Sequence, residues 1–282
     1  MEPVALTLVL LSAFFHALWN ALLKRHADPE AGVVGVILVA AVLGGLWALG
    51  LEGEAFPTRA GWVWCLVAGA WEAIYLFSLA RSLRHAPLGL AYTVARGGAL
   101  LLVWPLSVLW LGEELTPLTV AGALVLAAGL AVTGLVQPGG PAGRGVAWAA
   151  VSAVCIAGYH VAYKLALGEG AQAPALFALA LTVALPMLVL TRVRGQGLAA
   201  VLRQARHRPW LMLATGALCT LSFALMLLSL ARVGAGAVIT LRNTSIAFAL
   251  VLAMAQGERP GRRQLSGAVL VIGGAVLLGW PA

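Results

Sequence analysis

Charge is scarce in this sequence, and its scarcity excludes a soluble fold. Of the 282 residues, 10% are Asp, Glu, Lys or Arg and 62% are hydrophobic. A soluble domain has about a quarter of its residues charged, because charged side chains cover its surface. Apolar runs of about 20 residues recur along the chain, the length that lets a helix cross the hydrocarbon core of a bilayer. Since the apolar–polar alternation of β-barrel strands is absent, we predict an all-α integral membrane protein.

Motifs for metal, redox and nucleotide chemistry are also lacking. Asp28 is the only aspartate, which excludes the aspartate clusters that hold magnesium diphosphate and the aspartate pair of an aspartyl protease. HExxH and a P-loop are absent, and Cys65, Cys155 and Cys219 form no CxxC pair. The sequence therefore predicts no enzyme activity, no cofactor and no metal site. An intramembrane enzyme and a non-transporting scaffold stay open as alternatives of another class.

Ten apolar segments are present, separated mostly by short connections rich in Gly, Pro and charged residues. The first lacks the basic region and the cleavage site of a signal peptide, so we predict a retained helix. A Pro/Gly-rich stretch at 137–145 lies at the midpoint of the chain and is typical of a hinge. The segments lie near 4–23, 31–51, 61–80, 88–111, 117–136, 145–165, 174–191, 209–230, 235–255 and 265–280.

The two halves of the chain repeat each other. SAFFHALWNALLK, from Ser12 to Lys24, aligns without a gap with SAVCIAGYHVAYK, from Ser152 to Lys164. The third and eighth segments both end in SLAR, and the fourth and ninth contain TVARGG and TLRNTS, with one arginine in each. We therefore divide the chain into two units, 1–138 and 139–282. Because each unit has an odd number of segments, five, the second must enter the membrane from the opposite side, as in many secondary transporters.

The sequence resembles the drug/metabolite transporter superfamily, specifically two EamA-type repeats. HALWNALLK, the SLAR endings, and LGEELTPLTVAGALVLAAG with its counterpart QGERPGRRQLSGAVLVIGG carry the resemblance, which covers essentially the whole chain. It implies a ten-helix carrier with a central cavity lined by segments 1, 3, 4, 6, 8 and 9. Export of small metabolites and proton coupling are common among such carriers. The resemblance therefore leads us to expect both properties here.

Two arginines and one glutamate lie inside the apolar segments, where a charge usually faces protein or water and often serves function. Arg96 and Arg242 lie about eight and seven residues into their segments, roughly 10–12 Å deep at 1.5 Å per residue. The repeat places them at equivalent positions, where they could grip a carboxylate or phosphate. Glu72 could bind a substrate amine or carry a coupling proton. In the alternative interpretation, Arg96 and Glu72 form an ion pair that only holds the bundle together.

Polar stripes at intervals of four residues mark the first and sixth segments. His16 and Asn20 belong to the first stripe and His160 to the second, while Lys24 and Lys164 at the helix ends are expected to reach the membrane interface. Aromatic and amide side chains flank these stripes and the buried charges. The further candidates for substrate binding are Trp19, Trp71, Tyr75, Tyr159 and Asn243.

The leading functional hypothesis is a secondary active transporter of a small anionic or zwitterionic metabolite, such as an amino acid or organic acid. It would work by alternating access in the cell (inner) membrane. In the alternative carrier hypothesis, Glu72 and an aromatic wall of Trp19, Trp71 and Tyr75 serve a cationic or quaternary-ammonium compound. The expected partners are the small-molecule substrate and membrane lipid, and a homodimer stays open.

The net charge of +8 reflects basic residues beside the apolar segments, which orient a membrane protein, and we predict no nucleic-acid binding. Thirteen of the sixteen Lys and Arg outside the two mid-segment arginines fall on one side. The positive-inside rule then places both termini outside the cytoplasm, whereas the family resemblance implies cytoplasmic termini. The basic stretch from Arg192 to Arg208 is predicted to lie on the membrane surface.

Overall fold

The chain folds into α-helices that follow the apolar segments. The computed structural model describes residues 3–111, 116–134, 141–193, 197–232 and 235–278. Within these ranges each of the ten predicted segments contains helix, one of them divided in two, and a short helix is added between the seventh and eighth. The helices are α1 Pro3–Lys24, α2 Pro29–Ala48, α3 Arg59–His85, α4 Leu88–Leu111, α5 Pro117–Gly134, α6 Pro141–Gly168, α7 Ala173–Val193, α8 Gly197–His207, α9 Pro209–Arg232, α10 Ala235–Arg242, α11 Ser245–Ala255 and α12 Arg262–Leu278.

Seven helices in the described ranges are long and apolar enough to cross a membrane, namely α1, α2, α3, α4, α6, α7 and α9. Shorter apolar helices cover Pro117–Thr133 and Thr240–Ala255. The protein is therefore a multi-pass α-helical membrane protein. The count of ten crossings and the inverted relation of the two halves stay predictions.

The helices begin at residues suited to capping. Asp28 accepts hydrogen bonds from the backbone N–H groups of Glu30 (3.0 Å) and Ala31 (3.3 Å), ahead of Pro29 in the first turn of α2. Thr58 caps α3 in the same way through the N–H of Gly61 at 3.0 Å. These side chains satisfy donors that have no partner inside a helix, so the segment boundaries follow from local chemistry.

The most extensive helix pairings are α3 with α6, α5 with α12, and α1 with α9. The α5–α12 pair depends on glycine, because a Cβ at Gly129 would lie 2.7 Å from the backbone of Gly267. In the α1–α9 pair, Ser12 and Ser222 each donate to the other's carbonyl oxygen, at 2.7 and 3.0 Å. Hydroxyl bonds and close glycine contacts are the usual means of helix association in lipid, where apolar burial supplies little driving force.

One end of the bundle, which we call the Lys24 end, contains an ionic network. The ammonium of Lys24 donates to the carbonyl of Ala86 at 2.6 Å and lies 3.3 Å from the carboxylate of Glu258. Glu258 also accepts from the backbone N–H of Leu88 at 2.8 Å, at the start of α4. Nearby, Ser82 donates to the carbonyl of Gly145 in the first turns of α6. Lys24 therefore ties three elements together instead of only reaching the interface.

Glu30 forms a second ionic cluster at the Lys24 end. Its carboxylate pairs with Arg84 at 2.9 Å, Arg81 at 3.4 Å and Arg192, which joins α2 to the ends of α3 and α7. At the opposite end, which we call the Glu169 end, the Thr58 hydroxyl donates to Glu169 at 2.9 Å. Ion pairs thus join the helices at the Lys24 end, whereas a hydrogen bond from a hydroxyl to a carboxylate joins them at the Glu169 end.

Two predicted connections fall partly outside the described residues. Of the hinge at 137–145, residues 137–140 lie outside, and the rest belongs to α6, which begins at Pro141. Of the basic stretch, residues 194–196 lie outside, and Gly197–His207 forms α8. The second stretch therefore contains an ordered helix at the Lys24 end, between α7 and α9.

Candidate functional site

The ninth apolar segment is interrupted next to Arg242. Helix α10 ends at this residue and α11 begins at Ser245. The N–H groups of Asn243 and Thr244 each donate three residues back, to Thr240 and Leu241, both at 3.0 Å. Such a 3₁₀ turn inside a helix often marks a functional hinge. Both amide atoms of the buried Asn243 side chain lack hydrogen-bond partners, so the turn presents free polar groups to the interior.

Arg242 is fully buried and is held by α1 and α9. Its Nη2 donates to His16 Nδ1 at 3.1 Å and to the Ser222 hydroxyl at 3.3 Å, and its Nη1 contacts the sulfur of Met226. The guanidinium carbon lies 5.4 Å from the centre of the Phe223 ring. All these partners are neutral, and no carboxylate of the described residues lies within ion-pair distance. These contacts orient the guanidinium group of Arg242, but none of them supplies a negative charge.

Arg96 lies in the uninterrupted helix α4 and is 3% exposed. Its Nε and Nη2 have no hydrogen-bond partner. Its charge is close enough to that of Arg242 for the two to repel each other. Among the described side chains Arg96 has no acidic partner, so the ion pair with Glu72 that the sequence left open is not formed. Two buried cations thus share one region, and in the described part of the chain neither has a carboxylate within ion-pair distance.

Glu72 is fully buried on α3, and neither carboxylate oxygen has a donor in hydrogen-bonding geometry. Tyr163 of α6 and Arg242 are its main electrostatic neighbours. An isolated carboxylate in an apolar interior is costly. Glu72 is thus a buried acid near Tyr163 and Arg242, available to a proton or to a cationic group.

His16 connects Arg242 to the polar stripe of α1. Trp19 Nε1 donates to His16 Nδ1 at 3.1 Å, and Asn20 Nδ2 donates to the His16 carbonyl at 2.7 Å. Because Trp19 and Arg242 can only donate, Nδ1 must accept from both, which assigns a neutral imidazole with its proton on Nε2. That Nε2 is buried without a partner, as is Asn20 Oδ1.

Tyrosines surround this polar group. Tyr75 and Tyr159 have ring centres 5.4 Å apart, and Tyr159 stacks on His160 at 4.4 Å. His160 Nδ1 bonds the carbonyl of Ile156, which leaves its Nε2 free. The site is therefore walled by amphipathic rings whose polar atoms face inward.

Sequence reasoning missed Tyr92 and Tyr163, whose buried hydroxyls also lack partners. Tyr92 lies one turn before Arg96, and its ring is 5.9 Å from that of His16. Tyr163 lies one turn after Tyr159, with ring centres 5.7 Å apart. The four-residue spacing from Arg96 and Tyr159 was the signal that could have identified both, because such residues share a helix face.

The second half of the chain matches a known protein family. Residues 143–280 match the EamA-like transporter family. The predicted resemblance to the drug/metabolite transporter superfamily is confirmed. A crystal structure of a protein with 23% sequence identity matches 98% of this chain and 95% of its own, with a TM-score of 0.63, and so shares the fold. No curated protein matches the sequence.

Trp71 lines a cavity that does not include the buried charges. Its ring packs against Gly158, where a Cβ would approach to 2.6 Å. It lines an apolar cavity of about 840 Å³ between α3, α4 and α6, whose lining includes neither arginine nor Glu72. Of the three residues expected to form an aromatic wall, Trp71 therefore contacts this separate cavity.

Proposed function

We propose that the protein is a secondary transporter of the cell membrane that moves a small anionic or zwitterionic metabolite by alternating access. Arg96 and Arg242 bind its acidic group. The observation that carries the proposal is the pair of buried guanidinium groups, neither of which forms an ion pair with a carboxylate of the described residues. The EamA-like family supports transport across a membrane. The chemistry of the substrate is inferred from the site.

The energetics favour an acidic substrate. A single charged side chain at the bilayer centre costs about 2.5–3.5 kcal/mol on insertion scales, and two neighbouring cations add repulsion in a medium of low dielectric. A carboxylate between Arg96 and Arg242 offsets both costs and forms charge-assisted hydrogen bonds with the unpartnered N–H groups of Arg96. The site is thus incomplete without an anion.

Glu72 extends the proposal to zwitterions and to proton coupling. Its free carboxylate oxygens can accept an ammonium group of the substrate, or a proton that enters when the substrate leaves. The two roles make different predictions. An amine role requires a substrate with both an acid and an amine, whereas a proton role makes uptake depend on the pH gradient.

Alternating access rests on the relation of the two halves. Helix α1 ends at the Lys24 end, where Lys24 contacts Ala86, and its repeat counterpart α6 begins there, where Gly145 contacts Ser82. Opposite directions of equivalent helices support an inverted repeat of 1–138 and 139–282. The pairing of α1 with α9 corresponds to that of α6 with α3 when the halves are exchanged, and α5 pairs with its own counterpart α12. The same correspondence between the two halves supports ten membrane crossings, five in each half.

Transport into proteoliposomes tests the proposal. The purified full chain is reconstituted and supplied with labelled amino acids, organic acids and quaternary amines, with and without a pH gradient. We expect uptake of an acidic or zwitterionic compound, and its loss in Arg96→Ala and Arg242→Ala. Arg232→Ala is the matched control, because Arg232 is exposed at the end of α9. Uptake retained in both buried-arginine variants, or uptake of quaternary amines alone, would contradict the proposal.

A further inference from the structure

Helix α8 forms one wall of a basic pocket at the Lys24 end. It contacts α2, α7 and α9, next to the connection between α1 and α2. The pocket has a volume of about 640 Å³, and we call it the α8 pocket. The residues that matter for its chemistry are Arg25, Asp28, Arg203, Gln204, His207 and Arg208.

The three arginines of the α8 pocket have no acidic partner. Among the described residues the ion pairs join Glu30, Asp28 and Glu258 to other cations, and none includes Arg25, Arg203 or Arg208. Asp28, the one acid in the lining, already caps α2 and lies 4.0 Å from Arg192. Burial and the positive charge of Arg208 lower the pKa of His26, which lies on the connection between α1 and α2. The pocket is therefore positive overall, and its one carboxylate, Asp28, is already engaged by the start of α2 and by Arg192.

Exposed apolar side chains lie on the other flank of α8 and at the start of α9. Leu198 and Leu202 lie one turn apart on α8, and Leu202 is 60% exposed. Trp210, at the start of α9, is 80% exposed and lines a cavity that adjoins Arg25, His207 and Arg208. An amphipathic helix with basic and leucine faces lies in the membrane interface, and tryptophan is enriched at the level of the headgroups. The pocket thus opens where lipid phosphates are found.

We propose that the α8 pocket binds the headgroup phosphate of an anionic phospholipid, with the acyl chains passing Trp210 into the membrane. Arginine guanidinium groups bind phosphate oxygens in bidentate pairs, and basic pockets between membrane helices accept anionic headgroups. The leucine flank of α8 and the exposed Trp210 place the pocket at the membrane interface, which favours a lipid over a soluble phosphate. The inference is independent of the transported substrate.

Native mass spectrometry of the purified full chain tests the proposal. Phosphatidylglycerol and phosphatidylcholine are titrated separately, and dissociation constants are obtained from the lipid-bound fractions. Arg25→Gln, Arg203→Gln and Arg208→Gln are compared with Arg206→Gln, which removes the same charge from α8 at a residue that does not line the pocket. We expect each pocket variant to bind phosphatidylglycerol about five-fold more weakly, the effect of one interfacial basic residue. Arg206→Gln should change binding by less than about two-fold, since the charge it removes lies outside the pocket.

Three outcomes would overturn the proposal. Equal effects of Arg206→Gln and the pocket variants would indicate diffuse surface attraction. Equal affinity for phosphatidylcholine would remove the role of the anionic charge. Displacement of phosphatidylglycerol by inorganic phosphate at millimolar concentration would indicate a site for a soluble anion. Circular dichroism and gel filtration check that each variant folds. Because each arginine is replaced singly, the test does not depend on the folding of a triple variant.

Discussion

Arg96 and Arg242 occupy matching positions in the two halves, yet the protein holds them in different ways. Arg242 ends α10 at an interrupted helix and donates to His16 and Ser222. Arg96 lies within the continuous helix α4, and its Nε and Nη2 have no partner. One guanidinium is fixed by protein contacts and the other is free to follow a ligand. Arginines at equivalent positions of a repeat can therefore have different roles.

The largest expected effect is the loss of transport when either buried arginine is removed. Arg96→Ala should lower kcat/KM for uptake about 100-fold, the equivalent of a lost charge-assisted pair of about 3 kcal/mol. Because Arg96 Nε and Nη2 make no protein hydrogen bonds, the melting temperature in detergent should hardly change. Arg242→Ala should lose transport and also lower the melting temperature. Equal melting temperatures for the two variants, measured by differential scanning fluorimetry, would remove the distinction between a fixed and a free arginine.

Lysine substitutions separate charge from geometry at the two positions. Arg96→Lys keeps a cation that can still reach a carboxylate, so uptake should fall only about ten-fold, as one bond of a bidentate pair is lost. Arg242→Lys cannot bond His16, Ser222 and Met226 together, so it should lose transport as Arg242→Ala does. Initial rates in proteoliposomes measure both variants. Faster uptake by Arg242→Lys than by Arg96→Lys would contradict the distinction between a fixed and a free arginine.

The neighbours of Arg242 provide a third test. His16→Leu leaves Arg242 with one fewer acceptor and Trp19 Nε1 with none, which should cost about 1 kcal/mol and lower the melting temperature by several degrees. His160→Leu is the matched control, because the His160 side chain bonds only the carbonyl of Ile156 in its own helix. We expect it to destabilise less. Equal losses in thermal unfolding would show that His16 does not support Arg242.

The sequence predicted the positions of the helices well because lipid enforces them. Each predicted apolar segment contains helix, and boundaries such as Pro29 and Pro209 follow from capping and proline chemistry. The buried charges Arg96, Arg242 and Glu72 were also visible, since any charge in an apolar segment is conspicuous. These features depend on local composition, which a single sequence contains.

Tertiary packing determines what the sequence did not predict. The turn at Asn243 lies in TLRNTS, which contains neither Gly nor Pro, so the usual signal for a break was missing. Only the run of Asn, Thr and Ser, whose side chains compete for backbone hydrogen bonds, pointed to it. Likewise, Trp71 is next to Glu72 in the sequence but packs against Gly158 on another helix. Orientation around a helix depends on neighbours that a sequence does not reveal.

The smallest expected effect concerns the sulfur beside Arg242. Met226 is buried on α9 and its Sδ contacts Arg242 Nη1. Met226→Leu conserves the volume but removes a weak acceptor, so it should cost less than about 1 kcal/mol and leave uptake within about three-fold of the parent. In the double variant with His16→Leu, Arg242 keeps only Ser222, and the loss in stability should exceed the sum of the two single losses. Strict additivity in this double-mutant cycle would mean that the two side chains do not act together on Arg242.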